Sequence, residues 1–282
     1  MKLSAVLITK NAGTEFAKCL ESLAFADEIV ILDSGSTDDT LAIAEKFGAR
    51  IFRSGDWSGF GPQRQRAQGH AQGEWLFWID TDEVVTPELA SSIQRAIEQA
   101  PAKKVFQVKR LSWFFGRFIR HSGWYPDKVV RLYRREEYGY DGALVHEKVH
   151  CPDASVETLD GDLLHYTATN FPDYMAKSVR YAEDWAEGRA RRGKKASLFS
   201  ACTHSLGAFV RKYLLQRGFL DGRHGFLLAV TTAIYAFNKY AALWIKLAAD
   251  GFVQHLQKGF RRMLYVKVRG DSISSALAHI CA

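Results

Sequence analysis

The stretch Gly73-Glu74-Trp75-Leu76-Phe77-Trp78-Ile79-Asp80-Thr81-Asp82-Glu83 is an apolar run that ends in acidic residues. Five consecutive apolar residues after a turn signal are typical of a strand buried on both faces of a parallel sheet. Ligands of open α/β sheets bind at the carboxyl ends of the strands. Two aspartates one residue apart at such an end can both face a divalent cation, and oxygen ligands favour Mg²⁺ or Mn²⁺.

The same acids also have a purely structural interpretation. Thr86-Pro87-Glu88 has the cap, first-turn proline and first-turn acid of a helix N-terminus, and predicts a helix over 87–99. The acids would then form a turn between this strand and that helix. An Asp-x-Asp pair alone does not distinguish the two interpretations.

The chain before this strand alternates between two periodicities. Apolar runs predict strands over 3–9, 28–33 and 49–53, and helical spacing predicts helices over 15–23 and 41–47. This β-α alternation favours a doubly wound, Rossmann-like and mostly parallel sheet flanked by helices, in which the opening strand is the fourth.

A glycine-containing loop over 54–62 leads into a helix predicted over 63–71, which carries Arg64 and Arg66 near its start. Glycines before a helix that begins with arginines are compatible with a diphosphate cradle. A flexible loop with solvated arginines fits the same residues, because the glycines match no Walker or dinucleotide fingerprint.

The pattern changes after residue 103. Strand-like stretches over 105–110 and 129–133 flank an aromatic and basic segment, 113–126, which suits a sugar- or lipid-contacting wall, a base-stacking platform or a plug in the core. A further strand predicted over 142–149 would point His146 and Glu147 to opposite faces. His165 follows another short apolar run.

From residue 170 the chain is helical and basic, and Asn170 or Thr169 is predicted to cap the first of these helices, with Pro172 in its first turn. An apolar zone over 226–245 is nearly long enough to cross a bilayer, but Asn238 and Lys239 interrupt it. Polar residues at near-heptad steps, including Thr232 and Lys239, share one stripe of an amphipathic helix. This region is either an interfacial membrane element or a helical bundle with a solvated basic face. The predicted division is 1–169, with halves 1–100 and 101–169, and a helical domain over 170–282.

Composition narrows the class of protein. The 282 residues are 47% hydrophobic and 24% charged, as in globular proteins, and the net charge of +7 favours a polyanionic partner. The four cysteines are widely spaced, which indicates neither a zinc site nor a disulfide framework and fits a cytosolic setting. The N-terminal apolar run is interpreted as the first strand and not as a signal peptide.

Four segments in this order and spacing resemble glycosyltransferase family 2, of the GT-A fold. They are Leu7-Ile8-Thr9-Lys10-Asn11, Val30-Ile31-Leu32-Asp33-Ser34-Gly35-Ser36-Thr37-Asp38, Gln63-Arg64-Gln65 and Phe77-Trp78-Ile79-Asp80-Thr81-Asp82-Glu83. Later pieces around His146, His165 and 218–226 resemble the bacterial branch that includes lipopolysaccharide-core glucosyltransferases acting on the inner heptose.

The resemblance implies a role for each matching position. Residues at two strand ends would hold the nucleotide sugar: Thr9, Lys10, Asn11, Asp33, Ser34 and Gly35, with Asp33 accepting a hydrogen bond from uracil. Arg64 would approach the diphosphate, and Asp80 would lie near the ribose and the metal. Asp82 would bind Mg²⁺ or Mn²⁺ directly, with His165 completing the metal site.

The remaining implied roles concern transfer. Glu147 falls where the catalytic base of the family lies, although His146-Glu147 replaces the commoner Glu-Asp pair, and Ala12 stands where an acid often follows the asparagine. Residues proposed to contact the acceptor are Trp113, Arg120, Trp124 and His146.

The resemblance therefore implies an inverting, metal-dependent transfer of glucose from UDP-glucose to the lipopolysaccharide inner core. The enzyme would be cytoplasmic and peripheral on the cytoplasmic face of the inner membrane, with an anionic lipid-linked acceptor and no nucleic-acid partner. Alternatives are another nucleotide sugar with a polyprenyl-phosphate, glycan or protein acceptor and, in a different class, a non-enzymatic nucleic-acid-binding protein.

Overall fold

The computed structural model of the protein describes residues 1–145 and 147–269, and the side chains of 1–145 and 147–248. His146, one of the predicted acceptor contacts, lies outside the described residues. The chain forms two compact units, the first spanning Met1–Thr169 and the second beginning at Asn170.

Eleven strands are described, all of them in the first unit. They are β1 (Leu3–Thr9), β2 (Glu28–Asp33), β3 (Arg50–Arg53), β4 (Trp75–Trp78), β5 (Glu83–Val85), β6 (Lys104–Phe114), β7 (Arg117–Phe118), β8 (Asp127–Arg134), β9 (Gly139–Tyr140), β10 (Val149–His150) and β11 (Ser155–Ala168).

Four described helices belong to the same unit: α1 (Phe16–Glu21), α2 (Thr40–Lys46), α3 (Phe60–His70) and α4 (Pro87–Gln99). The predicted cap of α4 is confirmed, because the Thr86 side chain accepts a hydrogen bond from the backbone N–H of Leu89 and Pro87 begins the helix. The structural interpretation is confirmed for the helix cap, but the acids do not lead directly into α4, because Glu83 begins the unpredicted strand β5 between the turn and the helix.

The central sheet has the order β3-β2-β1-β4-β8-β6-β11-β5, with β7 paired to β6. The first four strands run parallel, whereas β8 is antiparallel to both β4 and β6. The predicted α/β class with a Rossmann-like parallel half is confirmed. Strand β4 lies where this parallel half meets the mixed half, so its carboxyl end can receive side chains from both.

Alternate residues of β4 belong to two cores on opposite faces of the sheet. Trp75 and Phe77 pack with α1 and α4 on one face, and Leu76 and Trp78 pack under α3 on the other. The Trp78 indole N–H donates to the Tyr133 hydroxyl at 2.7 Å, so its buried polar atom is satisfied. The predicted burial of this strand on both faces is confirmed.

Two local predictions are wrong. Helix α3 begins at Phe60, three residues before the predicted start, because Pro62 is compatible with a first helical turn. Residues 142–148 form no strand where they are described. They belong to the loop between β9 and β10, in which the Asp141 carboxylate accepts hydrogen bonds from the backbone N–H groups of Ala143 and Lys148.

The second unit contains α5 (Phe171–Arg191), α6 (Leu198–Val210), a π-helical turn (Arg211–Leu215), a 3-10 turn (Gly218–Asp221) and α7 (Gly222–Arg269). The Asn170 side chain caps α5, as predicted, by accepting from the backbone N–H of Asp173. Helix α7 packs against both α5 and α6.

Candidate active site

The carboxyl ends of β1 and β2 are joined by side-chain hydrogen bonds. The Thr9 hydroxyl donates to Asp33 Oδ1 at 3.1 Å, and the Ser34 backbone N–H donates to the Thr9 carbonyl at 2.8 Å. Asn11 accepts from the backbone N–H of Thr37 at 2.8 Å and has a positive φ of 51°. Together these bonds form one polar edge from the predicted nucleoside-binding residues.

Asp33 organises the turn that follows it. Its Oδ2 accepts from the backbone N–H groups of Gly35 and Ser36, each at 3.0 Å, and Gly35 adopts φ +89°, a conformation that favours glycine. Burial would raise the pKa of Asp33, but hydrogen bonds from Ser36, Gly35 and Thr9 outweigh it and hold the pKa below its usual value. Asp33 is therefore a buried carboxylate, whereas Lys10 beside this edge is exposed.

Asp80, at the end of β4, is held between two arginines. Arg64 Nη2 donates to Oδ1 at 2.7 Å and Arg131 Nη2 donates to Oδ2 at 2.6 Å. Burial alone would raise the pKa of Asp80, but these two cations lower it far below its usual value. Both oxygens of Asp80 thus already accept charge-assisted hydrogen bonds, which distinguishes it from Asp82.

Arg131 on β8 is a site residue that the sequence interpretation missed. Its Nη2 contacts both oxygens of Glu83 at 2.8 and 3.0 Å, and the Glu83 side chain is fully buried. Glu83 also accepts from the Asp80 backbone N–H at 2.9 Å. A signal for Arg131 existed, because it lies between apolar residues of the strand predicted over 129–133, and a charge that such a strand buries requires a partner.

Arg64 connects the acidic end of β4 with the loop that carries Glu147. Its Nε donates to Glu147 Oε1 at 2.9 Å while Nη2 binds Asp80. Its guanidinium carbon lies 5.3 Å from the Trp78 ring centroid and 4.9 Å from that of Tyr140. Arg64 is 5% exposed, so α3 places a buried cation between the two predicted functional carboxylates.

The loop between β9 and β10 accepts hydrogen bonds from the first turn of α3. The backbone N–H groups of Phe60 and Gly61 donate to the carbonyls of Leu144 and Ala143, both at 3.0 Å. A Cβ on Gly61 would lie 2.3 Å from the Asp141 carbonyl oxygen. The N–H groups of Phe60 and Gly61 thus bind protein carbonyls, and Gly61 permits this close packing. The predicted diphosphate cradle stays a prediction for the rest of the 54–62 loop.

Asp82 and His165 form the second half of the site. His165 Nε2 lies 3.3 Å from Asp82 Oδ2, and the Tyr166 backbone N–H donates to the Asp82 carbonyl at 2.8 Å. The Asp82 side chain is 41% exposed. Strand β11 thus brings His165 beside Asp82, as the resemblance implies.

These two side chains fit part of a Mg²⁺ or Mn²⁺ site. In the part of the chain that the structure describes, no three His, Cys, Asp or Glu side chains converge on one cation position. Protein Mg²⁺ sites commonly use one or two carboxylates and leave the other positions to water and substrate phosphates. An exposed carboxylate oxygen beside an imidazole nitrogen is compatible with that pattern, whereas each oxygen of Asp80 already accepts a hydrogen bond from an arginine.

The three described residues predicted to contact the acceptor have different packing partners. Trp113 packs with Phe118 and Tyr166, at centroid distances of 4.9 and 5.8 Å, and Tyr166 follows His165 in β11. Arg120 stacks over Tyr125 and lies 3.5 Å from Asp162. Trp124 packs edge-on against the buried Phe114.

The arrangement has a clear chemical division. The ends of β1 and β2 offer hydroxyl, amide and carboxylate groups. An exposed carboxylate, Asp82, and an imidazole, His165, lie beyond the end of β4. A second carboxylate, Glu147, is joined to the same end of β4 through Arg64. Such a set can bind a polar, phosphorylated ligand and supply a proton acceptor close to it.

Comparisons with known proteins agree with this geometry. The family model described as Glycosyl transferase family 2 matches residues 4–151. The lipopolysaccharide core biosynthesis glycosyltransferase LpsC of Rhizobium meliloti is 30% identical over 255 residues, covering 86% of this chain and 92% of that protein. An uncharacterized glycosyltransferase of Rickettsia conorii is 28% identical over 253 residues, covering 86% and 88%.

Solved structures with similarity to the chain include S. aureus TarS 1–349 in complex with UDP-GlcNAc. The sequence identity is 18%, the TM-score is 0.44, and the match covers 84% of this chain and 82% of that chain.

Proposed function

Because the chain belongs to glycosyltransferase family 2, we propose that it transfers a hexose, glucose from UDP-glucose, to a heptose of the lipopolysaccharide inner core. That it is a glycosyltransferase follows from the family and from relatives that bear this name. The core acceptor is supported by the similarity to LpsC over most of both chains.

One observation carries the proposal beyond the family. Arg64 joins Asp80, two residues from Asp82, to Glu147 through bonds of 2.7 and 2.9 Å. The proposed donor side and the proposed base therefore belong to one connected site, although they are far apart in sequence.

The donor would occupy the edge formed by β1, β2 and β4. Thr9, Asn11 and the 34–36 turn line that edge for the nucleoside, and the buried Asp33 fixes the turn from below. Asp82 and His165 would hold Mg²⁺ or Mn²⁺, which neutralises the charge that develops on the departing diphosphate. Asp80, paired with two arginines, is assigned to the ribose side and to positioning Asp82.

Glu147 is the proposed general base. Its carboxylate would take the proton from an acceptor hydroxyl while that oxygen attacks the anomeric carbon and the diphosphate leaves from the opposite face. One such displacement inverts the configuration, so an α-linked donor gives a β-linked product. Arg64 Nε donates to Glu147 Oε1 at 2.9 Å and so holds this carboxylate in position.

The acceptor is proposed to be anionic and membrane-associated. The net charge of +7 favours a phosphorylated partner, and the aromatic group of Trp113, Phe118 and Tyr166 beside His165 suits a sugar ring. We therefore place the enzyme as a peripheral protein at the cytoplasmic face of the inner membrane.

A screen of nucleotide sugars tests this assignment. Purified protein with Mg²⁺ or Mn²⁺ is incubated with UDP-glucose and other nucleotide sugars, with and without a deacylated core acceptor, and nucleotide release is measured. The expected result is acceptor-stimulated UDP release from UDP-glucose that EDTA abolishes. Turnover of a different nucleotide sugar would replace UDP-glucose as the proposed donor. Absence of binding and turnover with every nucleotide sugar would refute the proposal.

A further inference from the structure

The second unit exposes an unusual amount of apolar surface at the connection between α6 and α7. We call residues 211–226 the tip. Five large apolar side chains there are about half or more exposed: Leu214 at 52%, Leu215 at 75%, Phe219 at 48%, Leu220 at 50% and Phe226 at 49%. Such a concentration marks an interaction surface and not ordinary scattered exposure.

Exposed cations alternate with these apolar residues. Arg211, Arg217 and Arg223 are exposed, whereas the acid within the tip, Asp221, is 2% exposed. The tip therefore exposes apolar side chains together with the positive charges of three arginines. This combination is the one that binds an anionic lipid surface, where acyl chains accept the apolar groups and headgroups pair with the arginines.

The tip has a defined conformation that supports this display. Tyr213 packs against Phe209, Phe219 and Phe226 at centroid distances of 5.4, 6.3 and 5.6 Å. Gly218 and Gly225 approach so closely that a Cβ on Gly225 would lie 1.8 Å from the Gly218 carbonyl oxygen. The aromatic cluster holds the inner side of the tip, and the leucines remain outside it.

The apolar surface continues from the tip along the groove between α6 and α7. This groove has a volume of about 400 Å³, and its lining includes Leu206, Phe209, Ile234 and Phe237. Leu206 is 66% exposed. The groove and the tip thus form one continuous apolar surface through Phe209.

Lys239, a member of the polar stripe predicted on α7, packs against aromatic rings, whereas Lys246 of the same stripe is exposed. Lys239 Nζ lies 5.1 Å from the Trp185 ring centroid and 4.7 Å from that of Tyr235, and burial lowers its pKa. Tyr240 stacks on His204 of α6 at 4.0 Å and packs against Trp185 at 5.0 Å. Lys239 and Tyr240 thus face α5 and α6, whereas the large apolar side chains of the tip face outward.

Within the described residues, Gly218–Ala248 has the length and mean hydropathy, 1.3, of a helix that could cross a membrane, and 28% of its most apolar window is buried. The packing of Lys239 and Tyr240 against α5 and α6 in the middle of this stretch favours insertion of the tip over crossing of the bilayer.

We infer that the α6–α7 tip is the element that inserts into an anionic phospholipid bilayer, with Leu214, Leu215, Phe219 and Leu220 among the acyl chains and Arg211, Arg217 and Arg223 at the headgroups. A second copy of the chain is a poorer occupant, because a two-fold interface would bring the same three arginines of both copies together. The inference rests on the proposed membrane location and assigns it to one element of the chain, but it does not depend on the identity of the donor.

Co-sedimentation with vesicles tests the inference without donor or acceptor. The full chain should bind vesicles of phosphatidylcholine with phosphatidylglycerol, bind phosphatidylcholine alone more weakly, and lose binding as salt rises. A Leu214→Ser, Leu215→Ser variant should partition at least about tenfold less into either vesicle. An Arg211→Gln, Arg223→Gln variant should lose about fivefold per charge on the anionic vesicles only.

Val156→Ser in β11 is the matched control, because Val156 is 49% exposed and lies in the first unit. It should bind vesicles like the wild type, and thermal unfolding should show that all variants are folded.

The inference is overturned if the leucine variant binds vesicles as strongly as the wild type, or if the wild type binds no vesicles. A wild-type dimer that the leucine variant converts to a monomer also overturns it, in favour of a second copy. Nucleotide release in solution should be unchanged in the tip variants. A negative result for vesicle binding can therefore be distinguished from a negative result for the transferase assignment.

Discussion

At the scale of single residues, the site depends on buried charges that neutralise one another. Arg131 contacts Asp80 and Glu83, and Arg64 contacts Asp80 and Glu147, with both arginines about 5% exposed. A buried ion pair contributes little net stability, but removing one partner leaves a charge without compensation. The arginines therefore fix the acidic end of β4 in one conformation.

Replacing Arg131 with methionine should test this dependence. Arg131→Met keeps an unbranched apolar stem and removes the cation, which leaves the fully buried Glu83 without its closest partner. We expect the free energy of unfolding in urea to fall by about 3 kcal/mol.

The control is Arg66→Met on α3, where the pair with Asp56 is exposed on both sides at 39% and 71%. Exposed pairs contribute about 0–1 kcal/mol, so this variant should be close to the wild type. Equal losses in the two variants would contradict the assignment of Arg131 as an organiser of the site.

At the scale of elements, the contact between α3 and the loop 141–148 determines where Glu147 lies. The loop carbonyls cap the first turn of α3, and Arg64, one turn further along, binds Glu147. Gly61 permits this approach because it has no side chain. A substitution there acts on the site without touching a catalytic group.

Gly61→Ala should therefore impair both stability and transfer. The added Cβ would lie 2.3 Å and 2.6 Å from the backbone oxygens of Asp141 and Ala143, so the loop must move away from α3. Thermal unfolding should occur at a lower temperature, and transfer should fall at least about tenfold as Glu147 is displaced.

Gly69→Ala in the same helix is the matched control, since a Cβ there meets nothing within 4 Å. Alanine is a better helix former than glycine by about 1 kcal/mol, so this variant should be equally or more stable. If Gly61→Ala behaved like Gly69→Ala, the packing role of Gly61 would be wrong.

The sequence predicted the elements whose signals are local. The buried strand at 75–79, the Thr86 and Asn170 caps and the parallel first half of the sheet follow from apolar runs, capping residues and β-α alternation. The loop around Glu147 is predicted as a strand from its short apolar run. The prediction is wrong because the conformation of the loop depends on contacts with Asp141 and with the start of α3, which lie outside that run. Arg131 was missed because its partners lie 48 and 51 residues away.

At the scale of the whole molecule, the GT-A fold and the helical unit have separate tasks in this account. The α/β unit holds the donor edge, the Asp82–His165 pair and Glu147, and the second unit carries the tip proposed to bind the membrane. Transfer in solution and binding to vesicles are therefore expected to be separable by mutation.

The most direct test of the central claim is glucose transfer from UDP-glucose to a deacylated core acceptor by wild type, Asp82→Ala and Glu147→Gln. Each substitution should reduce transfer by about 100-fold or more, because one removes the proposed metal ligand and the other the proposed base. Glu136→Gln, which changes an 80% exposed carboxylate, should transfer at the wild-type rate. Circular dichroism should show all three variants folded. Near-normal transfer by folded Asp82→Ala or Glu147→Gln would contradict the account.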